Sequence, residues 1–104
     1  MAKRRVVVTG LGLITPVGND VASTWQNIKS GISGVGQITH FDATEYGTQF
    51  AAEVKDFDAT QYIDKKETKK MDRFIQLGIA AGMQALDDSK LTITPENAAR
   101  VGVA

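Results

Sequence analysis

The sequence has no cysteine, a single histidine and no excess of charge of either sign. Without cysteine, these 104 residues hold no disulfide, no thiolate metal site and no cysteine nucleophile. His40 is the only histidine, so a site that needs two histidines is excluded within them. Basic and acidic residues number 12 each, and such a neutral chain is not typical of a nucleic-acid-binding protein.

Long apolar runs are also missing. No stretch approaches the roughly 18 apolar residues of a membrane span, so no membrane association is expected. Lys3–Arg5 precedes an apolar stretch, as in a signal peptide, but glycine, threonine and proline interrupt that stretch and no small-x-small cleavage site follows. We therefore predict a cytoplasmic protein.

What the sequence does have is the composition of an ordinary globular domain, with 42% hydrophobic and 23% charged residues. A compact fold of this mass would bury about two thirds of its unfolded surface. The patterning predicts an α/β layered fold in the order β-α-β-α-β, with helices against a mostly parallel sheet. The predicted elements are a strand over Arg5–Thr9, a helix capped by Asn19 or Asp20 and ended by Gly31, a loop over Ser30–Gly47, a strand over Thr48–Val54, a helix from about Ile63 to Ser89, a short turn opened at Thr94, and a strand over Arg100–Ala104.

Two features predict that these residues form an incomplete structural unit. On a helical wheel, the segment Arg73–Ser89 is apolar over an arc of about 200°, so the helix needs packing partners on several sides. Gly78 and Gly82 would let another backbone approach it closely. The sequence also stops inside the strand pattern that reaches Ala104. Oligomerisation that supplies the missing cover is the alternative.

Basic residues cluster between Lys65 and Arg73. Lys66, Lys69, Lys70 and Arg73 follow at i, i+3, i+4 and i+7, so on one helix they would form a single stripe. The plain interpretation is a solvated helix face. The sharper interpretation is a docking patch for a phosphate or an acidic partner, because complementary charge speeds encounter.

Two further motifs carry less weight. Gly10 and Gly12 follow the predicted first strand, but Thr15 stands where the dinucleotide-binding fingerprint has its third glycine. Nucleotide binding through these glycines stays a minor hypothesis. His40 lies in a predicted loop with no nucleophile near it in sequence, which favours a structural hydrogen bond over a role as general base.

Three stretches together resemble a known family. They are RRVVVTGLGLITPVGND near the N-terminus, HFDA at His40–Ala43, and KKMDRFIQLGIAAGMQALDDS at Lys69–Ser89. The sequence is similar over its whole length to the β-ketoacyl-acyl-carrier-protein synthases, and most similar to their synthase II branch. The resemblance implies a thiolase-like α/β fold, of which residues 1–104 would be an incomplete N-terminal portion. Arg73–Ser89 would be a buried helix of that fold.

The resemblance also implies an activity, which is the elongation step of bacterial type II fatty-acid biosynthesis. These enzymes are acyltransferases that join an acyl thioester to malonyl-acyl carrier protein by decarboxylative Claisen condensation. The family's catalytic cysteine and two histidines would lie after Ala104, and His40 matches neither histidine. No catalytic residue is therefore assigned here, no metal or other cofactor is expected, and we expect the 104 residues alone to be inactive. A homodimer is implied for the full-length protein.

One functional feature of the family does fall within this sequence. A basic patch docks the acyl carrier protein with its phosphopantetheine-linked acyl and malonyl groups, and the matching residues are Lys66, Lys69 and Lys70, with Lys65 as a further neighbour. Position 69 is often arginine in the family, so Lys69 keeps the charge but loses the bidentate fork. The alternative is a non-catalytic module that binds an acidic protein through the Lys65–Lys70 stripe.

Overall fold

The computed structural model describes residues 2–104, which form an elongated chain with three helices and one small sheet. Its dimensions are 58 × 37 × 23 Å, and its radius of gyration is 17.6 Å. A compact domain of this length would have a radius of about 13 Å. The elements, in chain order, are α1 (Val21–Lys29), β1 (Val35–Gln37), β2 (Phe50–Ala52), a 3₁₀ turn (Ala59–Gln61), α2 (Lys65–Thr68), α3 (Arg73–Ser89) and a second 3₁₀ turn (Ala98–Arg100).

Helix α1 begins and ends as its sequence predicts. Asp20 is the N-cap, and its side chain accepts a hydrogen bond from the Ser23 backbone N–H at 2.7 Å. After the helix, Gly31 has a φ of 69°, and its N–H donates to the carbonyl of Ile28. This left-handed residue lets the chain reverse and satisfies a free helix carbonyl. The apolar face of α1 is not covered, however, since Trp25 is 59% exposed.

The sheet differs from the prediction in pairing and in extent. β1 and β2 are antiparallel, with Val35 opposite Ala52, rather than part of a mostly parallel sheet. β2 confirms a shorter form of the strand predicted over Thr48–Val54, while β1 lies inside the predicted loop.

The predicted first and last strands, over Arg5–Thr9 and Arg100–Ala104, do not form within residues 2–104, so the β-α-β-α-β order was wrong for this chain. A strand exists only where a neighbouring backbone accepts its hydrogen bonds, and neither segment has one here. Val6 is accordingly 90% exposed.

The helix predicted from Ile63 to Ser89 is interrupted. The structure has α2 over four residues, a turn at Lys69 and Lys70, and then α3. Aspartates mark both starts: the Asp64 side chain accepts a hydrogen bond from the Lys66 N–H at 2.9 Å, and Asp72 is the N-cap residue of α3. Aspartate favours helix caps over helix interiors, which explains the break.

The N-terminal segment crosses α3 at close range. A Cβ on Gly10 would collide with the Ala85 carbonyl oxygen, and one on Gly12 would collide with the Ala81 carbonyl oxygen. The intervening Leu11 N–H donates to the Asp88 carboxylate of α3 at 2.9 Å. These glycines therefore serve close backbone packing, which accounts for them without a nucleotide.

Buried residues are few in the described part of the chain, and Ile63 is the largest of them. Within residues 2–104, Thr24 is the one buried polar residue, and the buried apolar residues are Ala43, Ala59, Ile63 and Ala80. The accessible surface is 8609 Å², against about 5,700 Å² for a compact protein of this mass. The chain therefore buries less of its surface than a compact fold of this mass would. The predicted buried helix α3 has the expected bounds, but it is not buried in this chain: only Ala80 is enclosed, and Phe74 is 71% exposed.

Candidate functional site

The four predicted docking lysines lie on one short stretch and are all exposed. Lys65 and Lys66 belong to α2, Lys69 is its C-cap residue, and Lys70 follows in the turn. We call these four residues the lysine cluster. The single helical stripe predicted for them together with Arg73 was wrong, because the helix breaks between Lys70 and Arg73.

Most of the positive charge in the lysine cluster has no carboxylate partner. Lys70 Nζ lies 3.3 Å from Glu67 Oε1, one helical turn earlier. Both side chains are well exposed, so this pair adds little to stability and does not immobilise the charge. Within residues 2–104, no carboxylate oxygen lies within ion-pair distance of Lys65, Lys66 or Lys69. The cluster is therefore able to attract an anionic surface.

Arg73 faces a different set of partners. Its guanidinium lies over the Phe57 ring, 4.8 Å from the ring centroid. The Phe57 ring in turn stacks on Tyr62 at 6.3 Å. Such cation–π contact holds the guanidinium against an aromatic face. Arg73 is thus held against Phe57 and does not extend the lysine cluster.

Two side-chain hydrogen bonds, from Thr68 and from Gln76, hold the backbone of the lysine cluster. The Thr68 hydroxyl donates to the Lys65 carbonyl at 2.7 Å within α2. Gln76, one turn into α3, donates through Nε2 to the Thr68 carbonyl at 3.0 Å. Because Thr68 ends α2, this bond joins the two helices across the turn that carries Lys69 and Lys70.

His40 lies at a second site, an open cleft of about 470 Å³ beside β2. Its Nδ1 is 3.4 Å from Glu53 Oε2, and its backbone N–H donates to the same oxygen at 3.3 Å. Desolvation acts to raise the pKa of Glu53, but hydrogen bonds from Thr39 and His40, with the His40 charge, outweigh it and hold that pKa below its ordinary value. These contacts tie the His40 segment to β2's neighbour Glu53, and the structural role of His40 stays a prediction.

Among residues 2–104, no cluster of three or more histidine or acidic residues is placed to hold a metal ion. None of the helices in this part of the chain is long and apolar enough to cross a membrane.

Comparison with known proteins shows which family the chain belongs to. Residues 3–104 match the family model described as the beta-ketoacyl synthase N-terminal domain. The chain belongs to the beta-ketoacyl synthase family. The family resemblance read from the three sequence stretches is thereby confirmed.

Similar relatives share a single name, 3-oxoacyl-[acyl-carrier-protein] synthase 2. The Vibrio harveyi protein is 64% identical over 104 residues, which are 100% of this chain and 25% of that protein. The Vibrio cholerae protein is 59% identical over the same span. The Synechocystis protein is 52% identical over 103 residues. The chain therefore spans about a quarter of the length of the curated relatives that it matches.

A solved structure supports the fold. The ishigamide ketosynthase/chain length factor superposes with a TM-score of 0.79 at 38% identity, covering 88% of this chain and 23% of that one. This likeness confirms the predicted thiolase-like α/β fold.

The sequence indicated the four lysines as a group but gave no sign of Gln76, whose side chain bonds across the turn that carries Lys69 and Lys70. Gln76 stands eight residues after Thr68, a spacing with no motif attached to it. The available signal was the pair of aspartates, Asp64 and Asp72, each of which precedes a helical run. With those two positions taken as caps, the break would have been predicted and the turn recognised.

Proposed function

We propose that this chain is the N-terminal portion of an elongating 3-oxoacyl-acyl-carrier-protein synthase of bacterial type II fatty-acid biosynthesis. The observation that carries the proposal is the 64% identity to the Vibrio harveyi 3-oxoacyl-[acyl-carrier-protein] synthase 2 over all 104 residues. The complete protein is a transferase that condenses an acyl thioester with malonyl-acyl carrier protein and releases CO₂.

The proposal places the covalent chemistry outside these residues. A cysteine thiolate would take the acyl group as a thioester, and two histidines would assist decarboxylation of the malonyl group. This chain has no cysteine, and its one histidine is paired with Glu53. We therefore expect no condensation from the 104 residues alone, and we assign no catalytic residue, metal or other cofactor to them.

What this chain contributes under the proposal is recognition of the carrier protein. Lys66, Lys69 and Lys70, with Lys65 beside them, present exposed positive charge that lacks carboxylate partners at three of the four positions. An acidic carrier protein would be steered to such a surface, and its phosphopantetheine arm would deliver the acyl or malonyl group.

Assembly and location follow from the same proposal. The complete protein is a cytoplasmic homodimer in which the remaining chain and the second protomer cover the apolar surface exposed here. The need for such cover is supported by α3, whose apolar faces are largely uncovered in the described residues.

The test is charge reversal of two docking residues in the complete synthase, Lys69→Glu with Lys70→Glu. We expect the KM for acyl-carrier protein to rise about tenfold or more at low salt, since a tenfold change corresponds to about 1.4 kcal/mol and reversal adds repulsion to lost attraction. Wild-type affinity should fall toward that of the variant as salt rises.

Turnover of a small acyl thioester that lacks the carrier protein is the control, and it should change little. An unchanged KM for the carrier protein at low salt would show that the lysine cluster is a solvated surface and not a docking site. If the wild-type complete protein bound an acidic protein but formed no β-ketoacyl product, the non-catalytic module would be the correct interpretation.

A further inference from the structure

The turn between α2 and α3 is spanned by a single side-chain amide. Gln76 Nε2 donates to the Thr68 carbonyl at 3.0 Å and makes a longer contact of 3.5 Å with the Met71 carbonyl. Its Oε1 lies 3.5 Å from Arg73 Nη1. The amide is partly buried, unlike the lysines whose backbone it anchors. Both ends of the Gln76 amide are thus engaged, one with the turn and one with the first residue of α3.

Helix α2 depends on such anchoring. It has only four residues, too few to be stable by its own hydrogen bonds. The Thr68 carbonyl, at its last residue, is one of those that a helix end leaves without an intrahelical partner. The one backbone bond to that carbonyl comes from Met71 N–H at 3.3 Å. The shorter bond, from Gln76, comes from a rigid helix of 17 residues.

We infer that Gln76 is a positioning residue for carrier-protein docking, an inference that rests on the proposed function. Gln76 fixes the end of α2 and the following turn to α3, and so holds the backbone of Lys69 and Lys70 in one arrangement. A preorganised surface loses less conformational entropy on binding than a mobile one. Removal of the amide should leave the number of charges unchanged but let the lysines occupy a wider range of positions.

The experiment is Gln76→Met in the complete synthase, which keeps the length of the side chain and removes its donor. We expect the KM for acyl-carrier protein to rise about three- to tenfold, the range for one net hydrogen bond. The KM and turnover of a small acyl thioester should be unchanged. The slope of KM against salt should stay at its wild-type value, because the number of charges is the same.

Gln84→Met is the matched control. Gln84 also lies on α3 and donates through Nε2 to the Asn19 carbonyl at 2.7 Å and to the Tyr62 hydroxyl at 2.9 Å, and its Oε1 accepts from the Leu13 N–H at 3.1 Å. Its loss removes more hydrogen bonds than Gln76→Met does, but none of them is made to the lysine cluster, so it controls for a general loss of stability. We expect no difference between the carrier-protein substrate and the small thioester in this variant. Gln76→Asn, too short to reach Thr68, should reproduce the effect of Gln76→Met.

The outcomes separate the positioning role from the docking role. If Lys69→Glu with Lys70→Glu raises the KM for the carrier protein and Gln76→Met does not, the positioning role is overturned and the docking proposal stands. If neither variant changes that KM, docking through the lysine cluster fails. Equal losses for both substrates in Gln76→Met and Gln76→Asn would show a general folding role and would also overturn the inference.

Discussion

At the scale of single residues, aspartates set where helical segments begin. Asp20, Asp58 and Asp64 each accept a hydrogen bond from a backbone N–H two or three residues later. Each such bond satisfies a donor that the first helical turn leaves free. The hydrogen bonds from the Ser23 side chain and backbone hold the pKa of Asp20 below its ordinary value of 3.8.

The Asp20 cap of α1 leads to a prediction about how the stability of that helix depends on pH. Because the pKa of Asp20 is lower in the folded state, its ionised form stabilises α1 above pH 3.8, and this stabilisation is lost as the pH falls through the folded value. Ser23→Ala removes the largest cause, so the pKa of Asp20 should rise toward 3.8. The pKa of Asp20 is measured from its carboxyl chemical shift in an NMR titration. The pKa of Asp42, whose hydrogen bonds come from Thr44, should stay unchanged.

At the scale of elements, two hydrogen bonds fix the position of the N-terminal segment, which has no regular secondary structure. The N-terminal segment is fixed on α3 by the Leu11 and Leu13 N–H groups, which donate to the Asp88 and Gln84 side chains at 2.9 and 3.1 Å. Asp88 and Gln84 are one turn apart on the helix, so they meet alternate residues of an extended chain. The glycines at 10 and 12 bring the two backbones close enough for these bonds to form.

Substitution of Gly12 tests this packing. Gly12→Ala places a methyl group against the Ala81 carbonyl oxygen and the Ala85 nitrogen, both of them helix backbone that is unable to yield cheaply. We expect the complete protein to lose about 1–3 kcal/mol of unfolding free energy, as for other overpacked sites. Gly36→Ala is the control, because its Cβ meets nothing within 4 Å, and it should change stability by less than about 0.5 kcal/mol. Equal midpoints of denaturant unfolding for the two variants would contradict close packing at Gly12.

At the scale of the whole molecule, this chain has more surface than its mass requires. The 8609 Å² of accessible area includes large apolar side chains in every region, among them Val6, Trp25, Phe74 and Val103. No large side chain is fully buried in the described residues. Burial of apolar area is the main force that opposes the entropy of the unfolded chain, so such a structure gains little of it alone.

We therefore expect the isolated 104-residue chain to be loosely packed or prone to aggregation. Exposed apolar patches and unpaired strand segments are the features that promote such association. Binding of a hydrophobic dye, together with a broad thermal transition, would be observed. A monodisperse monomer with a sharp, cooperative transition would contradict this expectation, whereas a well-ordered dimer would show that a second copy covers the same surfaces.

Local chemistry was readable from the sequence by itself. The bounds of α1, its cap at Asn19 or Asp20 and its Gly31 terminator depend on neighbours within four residues, and the structure selects Asp20 as the cap. The extent of Arg73–Ser89 as a helix was readable in the same way. The family was equally readable, since the motifs that carry it are contiguous stretches. Spacing grouped Lys66, Lys69 and Lys70 with Arg73, the family resemblance picked out the lysines with Lys65 as a neighbour, and their docking role stays a prediction.

Tertiary structure decided what depends on partners distant in sequence. Arg5–Thr9 and Arg100–Ala104 have the residues of strands, yet a strand forms only when another backbone pairs with it. Sequence patterning registers apolar character but not the presence of a covering surface: it predicted that α3 needs packing partners on several sides, and in this chain only Ala80 of the helix is enclosed. The Gln76 amide reaches a carbonyl eight residues away across a turn, and only the folded chain brings these two groups within hydrogen-bond distance.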